Sequence, residues 1–378
     1  MSFKKGLFLL YLPLFVSMLE FSLGLLEAAQ EKGSAQETWE RTVRAGKNEG
    51  QVVVYIDTYE AVLPAFHKAF PEIQVVGVPG RGSELVPRII AERRSGKYVA
   101  DLCICGSTTP YRLLYLGKAL EPIRPALILP EVLDESKWWE GRHFYMDPEN
   151  AYIFIFVGNA DSGRTIAYNT KLVSAKEFKS YWDFVNPKWK GKITSRDPTV
   201  PGEIGASLRF FYYNPELGPE YLRKLFGEMN VTLFRGITQG ADWLASGKYA
   251  FCFFCPDVDV AKTQGLPVDT PPPLKEGAPI SSALGSLAFM NNAPHPYAAK
   301  VFINWLLSRE GQTALQREVN QTKRGTVNSL RIDIPKDDVP PENRRVEGVK
   351  YVFTTRPDWM DMKPIDEIIK KALGEAQR

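Results

Sequence analysis

Between residues 51 and 121 the chain alternates short β-branched runs with amphipathic helical stretches, and this alternation narrows the fold more than any other feature. QVVVYID (51–57) is compact and continuous enough for a buried strand. AVLPAFHKAFPE follows as a helix whose apolar positions are Val62, Leu63, Phe66 and Phe70. IQVVGV, ELVPRIIAERRSGK, VADLCIC and PYRLLYLGKAL then repeat the strand–helix order, after an opening helix, ETWERTVRAGKNEG, that Gly50 ends. Such a succession predicts a mostly parallel, layered α/β sheet. The chain has 378 residues, 44% of them hydrophobic and 24% charged, which is room for about two domains with cores of their own. Lys and Arg number 47 against 44 Asp and Glu, a balance that excludes nucleic acid as the expected partner.

The first residues follow a different rule. Lys4 and Lys5 precede an apolar run from Leu7 to Met18, and Ala28 and Ala29 close it, the order of a secretory signal over 1–29. Glu20 interrupts the apolar stretch, which argues against a permanent span. Farther on, the region 122–150 is irregular, punctuated by Pro122, Pro125, Pro130 and Pro148. AYIFIFVGN, RTIAYNTKL, a short run at Lys192–Ser195, KYAFCFF and SLAFMNN read as strands. Ala206–Tyr213 and Pro219–Glu228 read as helices, as does PYAAKVFINWLLSREGQTALQRE in one continuous piece. The tail 331–378 mixes proline and charge, with one amphipathic helix near Ile365–Leu373. No internal repeat is visible.

Three loops combine a strand end, small hydroxylated or glycine residues and a helix start, where free N–H groups suit anions. In GVPGRGSEL, Ser83 is the expected N-cap and Glu84 sits in the first turn. In CGSTTPYRL, Thr109 is the expected cap and Pro110 the first helical residue, which leaves Ser107 and Thr108 on the loop for a ligand. In TSRDPTVPGEIGAS, Arg196 offers a fork for carboxylate or phosphate, Asp197 and Thr199 flank a proline turn, and Gly202 and Gly205 open a helix. The bland alternatives are capped turns and an Arg196–Asp197 surface pair. Only His67, His143 and His295 are present, and no metalloprotease His pair, nucleophile elbow or phosphate-binding Gly-Lys loop occurs. No catalytic residue or cofactor is therefore expected.

GSLAFMNNAPHPYAAKVFINWLLSREGQ (285–312) resembles the late segment of bacterial extracellular solute-binding proteins serving ABC importers. WDFVNPKWKGKITSRDP (182–198), TIAYNTKLV (165–173) and VVVYIDTYEAVLPAFHKAFPEIQV (52–75) resemble the same branch, which holds ferric-iron, thiamine and phosphonate binders. The resemblance implies a type 2 periplasmic binding protein fold, two α/β lobes joined by two crossing strands around a cleft. Lobe one would span 37–157 and 281–330, lobe two 158–280, and the tail 331–378 would pack on both. It implies an exported, monomeric carrier, not an enzyme, that hands a small ligand to a membrane permease, with a periplasmic enzyme or sensor domain on the same two-lobed fold as the alternative. Tyr59, Ser83, Ser107 and Thr108 would face the cleft from lobe one, and Arg196, Asp197, Thr199 and Asp257 from lobe two.

The stretch FCFFCPDVDV (251–260) bears on the ligand. Iron binders of the branch show adjacent tyrosines after a Ser-Gly-Lys-type turn, here Ser246-Gly247-Lys248, whereas this chain has Cys255, Pro256 and Asp257 there. Losing the hard phenolate donors favours an organic or phosphorus-containing anion, with a cation through Asp257 and Asp259 as the alternative. Cys103 and Cys105 share one face of their strand, and Cys252 and Cys255 are expected on opposite faces of theirs. That predicts packed thiols or one disulfide, with Cys105 and Cys255 the pair bordering the cleft.

Overall fold

A computed structural model describes residues 33–160, 165–200, 204–236, 238–255, 257–322 and 324–376. The expected signal over 1–29 and Gly202 lie outside the described residues. Among the described residues, no helix is long and apolar enough to cross a membrane.

The chain opens with a helix over 33–49 and then builds β1 (Gln51–Ile56), β2 (Gln74–Pro79) and β3 (Leu102–Cys105), all parallel. The helices Leu63–Ala69 and Gly82–Arg94 connect them, as the alternation predicts. β4 (Leu120–Glu121), β5 (Phe144–Tyr145) and β6 (Ile153–Ile155) follow through the proline-rich region. β7 (Asn159–Ala160) leaves for the second lobe, which holds β8 (Ile166–Asn169), β9 (Ile193–Arg196), β10 (Thr232–Phe234), β11 (Phe251–Phe253) and β12 (Val268–Asp269). β13 (Ala278–Ser281) returns antiparallel to β7, and β14 (Ser286–Met290) completes the first sheet between β3 and β6. β15 (Tyr351–Phe353) belongs to the tail.

The strand orders are β2-β1-β3-β14-β6-β5 in lobe one and β10-β9-β11-β8-β12 in lobe two. In each sheet three parallel strands are followed by an antiparallel one, β14 in lobe one and β8 in lobe two. The two lobes therefore repeat one topology although no sequence repeat marks it. This is the two-lobed α/β architecture of type 2 periplasmic binding proteins.

Several elements differ from expectation for local reasons. The single helix expected from Pro296 breaks into Pro296–Leu307 and Arg309–Thr322. Ser308 between them is extended, and its Oγ accepts from the Gly311 N–H at 3.1 Å, as an N-cap does. Ser83 is not the cap of its helix. Arg81 holds that place, Glu84 reaches back to the Arg81 N–H, and the Asp57 carboxylate takes the Gly82 N–H at 2.8 Å. Nor does Thr109 cap with its side chain: a six-residue π-helical turn, Pro110–Tyr115, begins there, so Thr108 lies in the opening turn. His143 is buried edge-on to Trp138 and beside Phe154, and burial pushes its imidazole below its ordinary range, a core residue.

The tail is more than packing. Buried Arg331 pairs with Asp333 and Glu131 on lobe one. β15 then runs parallel to β13, so the hinge is a sheet of three strands, β15-β13-β7, not two. Beyond it the helix Lys363–Ala376 seals lobe two with Ile365, Ile369 and Ala372.

Candidate functional site

The parallel strands of both lobes end on one cleft of about 1060 Å³. Lobe one contributes Tyr59 after β1 and Gly106, Ser107, Thr108 and Thr109 after β3. Lobe two contributes Arg196 at the end of β9, and Phe254, Cys255 and Asp257 after β11. The hinge strands supply Asn159, Ala160 and Ser281. Carboxyl ends of strands are where open α/β sheets gather ligands, because the loops there are free to vary while the strands fix their roots.

Of the residues singled out from sequence, Tyr59, Ser107, Thr108, Arg196 and Asp257 line this cleft. Tyr59 is buried, its hydroxyl donates to the Thr326 carbonyl at 3.2 Å, and burial pushes its phenol well above the ordinary value. It is a wall, not a phenolate ligand. Ser107 Oγ lies 3.4 Å from Ser282 Oγ, and Thr355 Oγ1 donates to Ser282 Oγ at 3.1 Å, a row of hydroxyls running from lobe one through the hinge to the tail.

Three expected residues lie elsewhere. Ser83 lines a smaller neighbouring hollow with Asp57, Arg81 and Gly82. Asp197 is buried and turned to structural work. It accepts from Thr199 N–H at 2.9 Å, Thr199 Oγ1 at 2.6 Å and Arg235 Nε at 2.9 Å, and neither Asp197 nor Thr199 lines the cleft. Burial raises the Asp197 carboxyl, but the Thr199 and Arg235 bonds outweigh it and hold the group below the usual range. Its partner is thus Arg235, not Arg196.

Cys252 and Cys255 form a disulfide, so the single bond joins two residues that strand alternation had put on opposite faces, and Cys105 is not part of it. β11 ends at Phe253, and Phe254 adopts φ 54°, so the alternation stops and the chain doubles back toward Cys252. Cys103 and Cys105 are buried thiols with their sulfurs 3.7 Å apart. Among the described residues, no three His, Cys, Asp or Glu side chains gather in a way that could hold a metal ion.

The sequence reading missed Arg209. It projects from the helix Gly205–Tyr213 into the cleft, its Nε is buried without a partner among the described residues, and its Nη1 donates to Met362 Sδ at 4.0 Å. Burial, then the like charge of Arg112 from lobe one, push its guanidinium down to about 10. A half-buried guanidinium whose Nε is cut off from water, with no carboxylate partner among the described residues, is costly, and a lost charged hydrogen bond costs more than a neutral one. The signal for it was in plain view: one charged residue in the otherwise small or apolar run GASLRFFYY. Arg324 also lines the cleft, exposed, and its side chain has no ion-pair partner among the described residues.

Two lobes of one topology, a stranded hinge and a polar cleft between them define a periplasmic binding protein. The chain belongs to the bacterial extracellular solute-binding protein family, whose pattern matches residues 54–313. Proteins of this family bind solutes outside the cytoplasm and deliver them to the permease of an ABC importer. The fold is similar to that of the Trichodesmium protein FutA in complex with iron and citrate, at 18% identity and a TM-score of 0.63, covering 85% of this chain and 99% of that one. It is also similar to AfuA from Actinobacillus pleuropneumoniae with fructose-6-phosphate bound, at 19% identity and a TM-score of 0.53, covering 87% and 99%. An uncharacterized Haemophilus influenzae protein is 26% identical over 140 residues, which is 36% of this chain and 40% of that protein's length.

Proposed function

We propose that this chain is an exported carrier that captures a small anion, organic or phosphorus-containing, between its lobes and presents it to an importer permease. The observation that carries this reading is Arg209, a half-buried cation lining the cleft whose Nε is shut off from water without a hydrogen-bond partner, and which has no carboxylate partner among the described residues. Arg196 and Arg324 add positive charge to the same space, and the hydroxyls of Ser107 and Thr108 offer neutral donors. An anion lodged there would satisfy the Arg209 guanidinium and screen it from Arg112 across the cleft. Both effects are greater when the lobes approach, so the ligand would favour the closed form by its differential contacts.

Carriage rather than catalysis is supported by family membership, and the described lining holds arginines, two carboxylates, hydroxyls and amides but no histidine. The iron alternative is less well supported, since Tyr59 is the one tyrosine in that lining and its hydroxyl is engaged and hard to ionise. The test is native mass spectrometry of protein purified without ligand removal. The expected result is a small anionic adduct on the wild type that Arg209→Met loses, with at least about thirtyfold weaker rebinding. An adduct retained by the variant, or a metal as the only adduct, overturns the proposal.

A further inference from the structure

The tail reaches the cleft at a place that the two-lobe description leaves out. Pro340, Glu342, Asn343 and Thr355 all line it. These positions are held firmly. Asn343 Nδ2 donates to the Ala160 carbonyl on β7 at 3.2 Å, and its own carbonyl accepts from Asn328 Nδ2 at 2.8 Å. Arg345 donates to the carbonyls of Gly158, just before β7, and of Ser329. On the other side of the cleft opening, Thr354 N–H and Oγ1 both donate to the Ile280 carbonyl on β13 at 2.9 Å. The segment 340–355 is thus fastened to both crossing strands, and what it turns into the cleft is placed by them.

What it turns in includes a carboxylate. Glu342 is exposed, and its carboxylate makes no hydrogen bond or ion pair with the described residues. Asp257 on lobe two is in the same condition, partly buried with its carboxylate unengaged. A cleft built only for a simple anion would be weakened by two carboxylates beside its three arginines. Carboxylates are acceptors only, so their presence fits a ligand that brings donors as well as negative charge.

We infer that the tail is the specificity wall of this cleft, and that Glu342 accepts hydrogen bonds from hydroxyl or ammonium groups carried by an anion that the arginines hold. This rests on the anion reading above. It extends that reading by naming a ligand class, donor-bearing anions, and a chain segment outside both lobes that selects it. The alternative use of Glu342 is to pair with a cleft arginine on closure without touching the ligand.

The test uses ligand-stripped full-length protein and three probes of similar length: hexyl phosphate, which has no donor on its chain, glucose 6-phosphate, and 6-aminohexyl phosphate. Affinities are measured by calorimetry for the wild type, Glu342→Gln and Arg209→Met. The inference expects at least one donor-bearing probe to bind more tightly than hexyl phosphate. Glu342→Gln should weaken that probe about tenfold and leave hexyl phosphate unchanged or tighter. Loss confined to glucose 6-phosphate would assign hydroxyl donors, and loss confined to 6-aminohexyl phosphate an ammonium. Equal change for all three probes, or no change in any while Arg209→Met still abolishes binding, overturns the role of the tail and leaves the anion reading standing. If Arg209→Met binds every probe as the wild type does, the anion reading falls and this inference with it; if no probe binds the wild type, this inference falls and the phosphorus-containing half of the anion reading with it. Because Glu342 is exposed and unpartnered, its variant should melt with the wild type, which separates a binding effect from a folding one.

Discussion

The two lobes share a strand order but not a substance. Lobe one is filled mainly by aliphatic side chains, with Val52, Val54 and Ile56 of β1 in one core with Val301, Leu306 and Leu307, and its rings gather in smaller groups such as Phe66 with Phe302 and Trp138 with Phe154. Lobe two is filled by rings. Phe178 stacks on Phe184 at 4.4 Å, and Phe251 meets Phe178, Phe184 and Trp189 edge-on at 5.4, 5.2 and 4.9 Å. The same contrast holds at the equivalent third strands. β3 carries two buried thiols, whereas β11 runs into a disulfide whose turn supplies the cleft wall. One topology therefore tolerates two core chemistries, because strand order depends on connection and register while packing needs only matched volume.

The comparison breaks most readily at Phe251. Phe251→Ala should cost about 3–5 kcal/mol, since it empties the centre of a ring cluster that cannot collapse onto the gap. Ile56→Val in lobe one should cost about 1 kcal/mol. Denaturant titration followed by near-ultraviolet circular dichroism would read both, and equal costs would end the claim that lobe two depends on its rings.

The second contrast is redox. Replacing Cys252 and Cys255 together by serine should destabilise lobe two by about 2 kcal/mol, the chain-entropy value for so short a loop. It should also loosen Asp257, the first residue described after the turn. Reductant should destabilise the wild type and not this variant. The pair Cys103→Ser and Cys105→Ser should leave the response to reductant intact, and a loss of response there would reverse the assignment.

The third is pH. Burial, and then the nearby Arg345 charge, push the Lys336 ammonium down to about 7. Its Nζ donates to Gln316 Oε1 at 3.2 Å and to the Ser329 carbonyl at 2.8 Å, both on the lobe-one side. The folded state then holds fewer protons than the unfolded one above pH 7, so stability should rise from there toward the ordinary lysine range. The slope is at most about 1.4 kcal/mol per pH unit. Lys336→Met should flatten it. Calorimetric scans from pH 6.5 to 9.5 would place the gain in a lobe-one transition, and a lobe-two transition that moved equally would contradict the assignment.

Much of this was legible beforehand because it is local. The β-branched runs became strands, the Gly/Ser/Thr loops after β3 and β9 became cleft edges, and Tyr59, Ser107, Thr108, Arg196 and Asp257 were found there. What escaped depends on partners distant in sequence or on one backbone angle. Asp197 looked like a ligand because Arg235, 38 residues on, could not be seen to claim it. The disulfide was hidden by an alternation that Phe254 breaks with a left-handed conformation. Arg209 was hidden by its surroundings, since a charge in an apolar helix reads as an exposed face until the opposing lobe is in place.

The third hinge strand changes what the far end of the chain means in practice. β13 is bonded along both edges, to β7 and to β15, so it flexes as the spine of a ribbon, not as one of two separate threads. Shortening the protein from its C-terminal side is therefore not surface trimming. A cut before Tyr351 would strip one edge from that ribbon and in the same stroke remove Ile365, Ile369 and Ala372 from beneath the rings of lobe two.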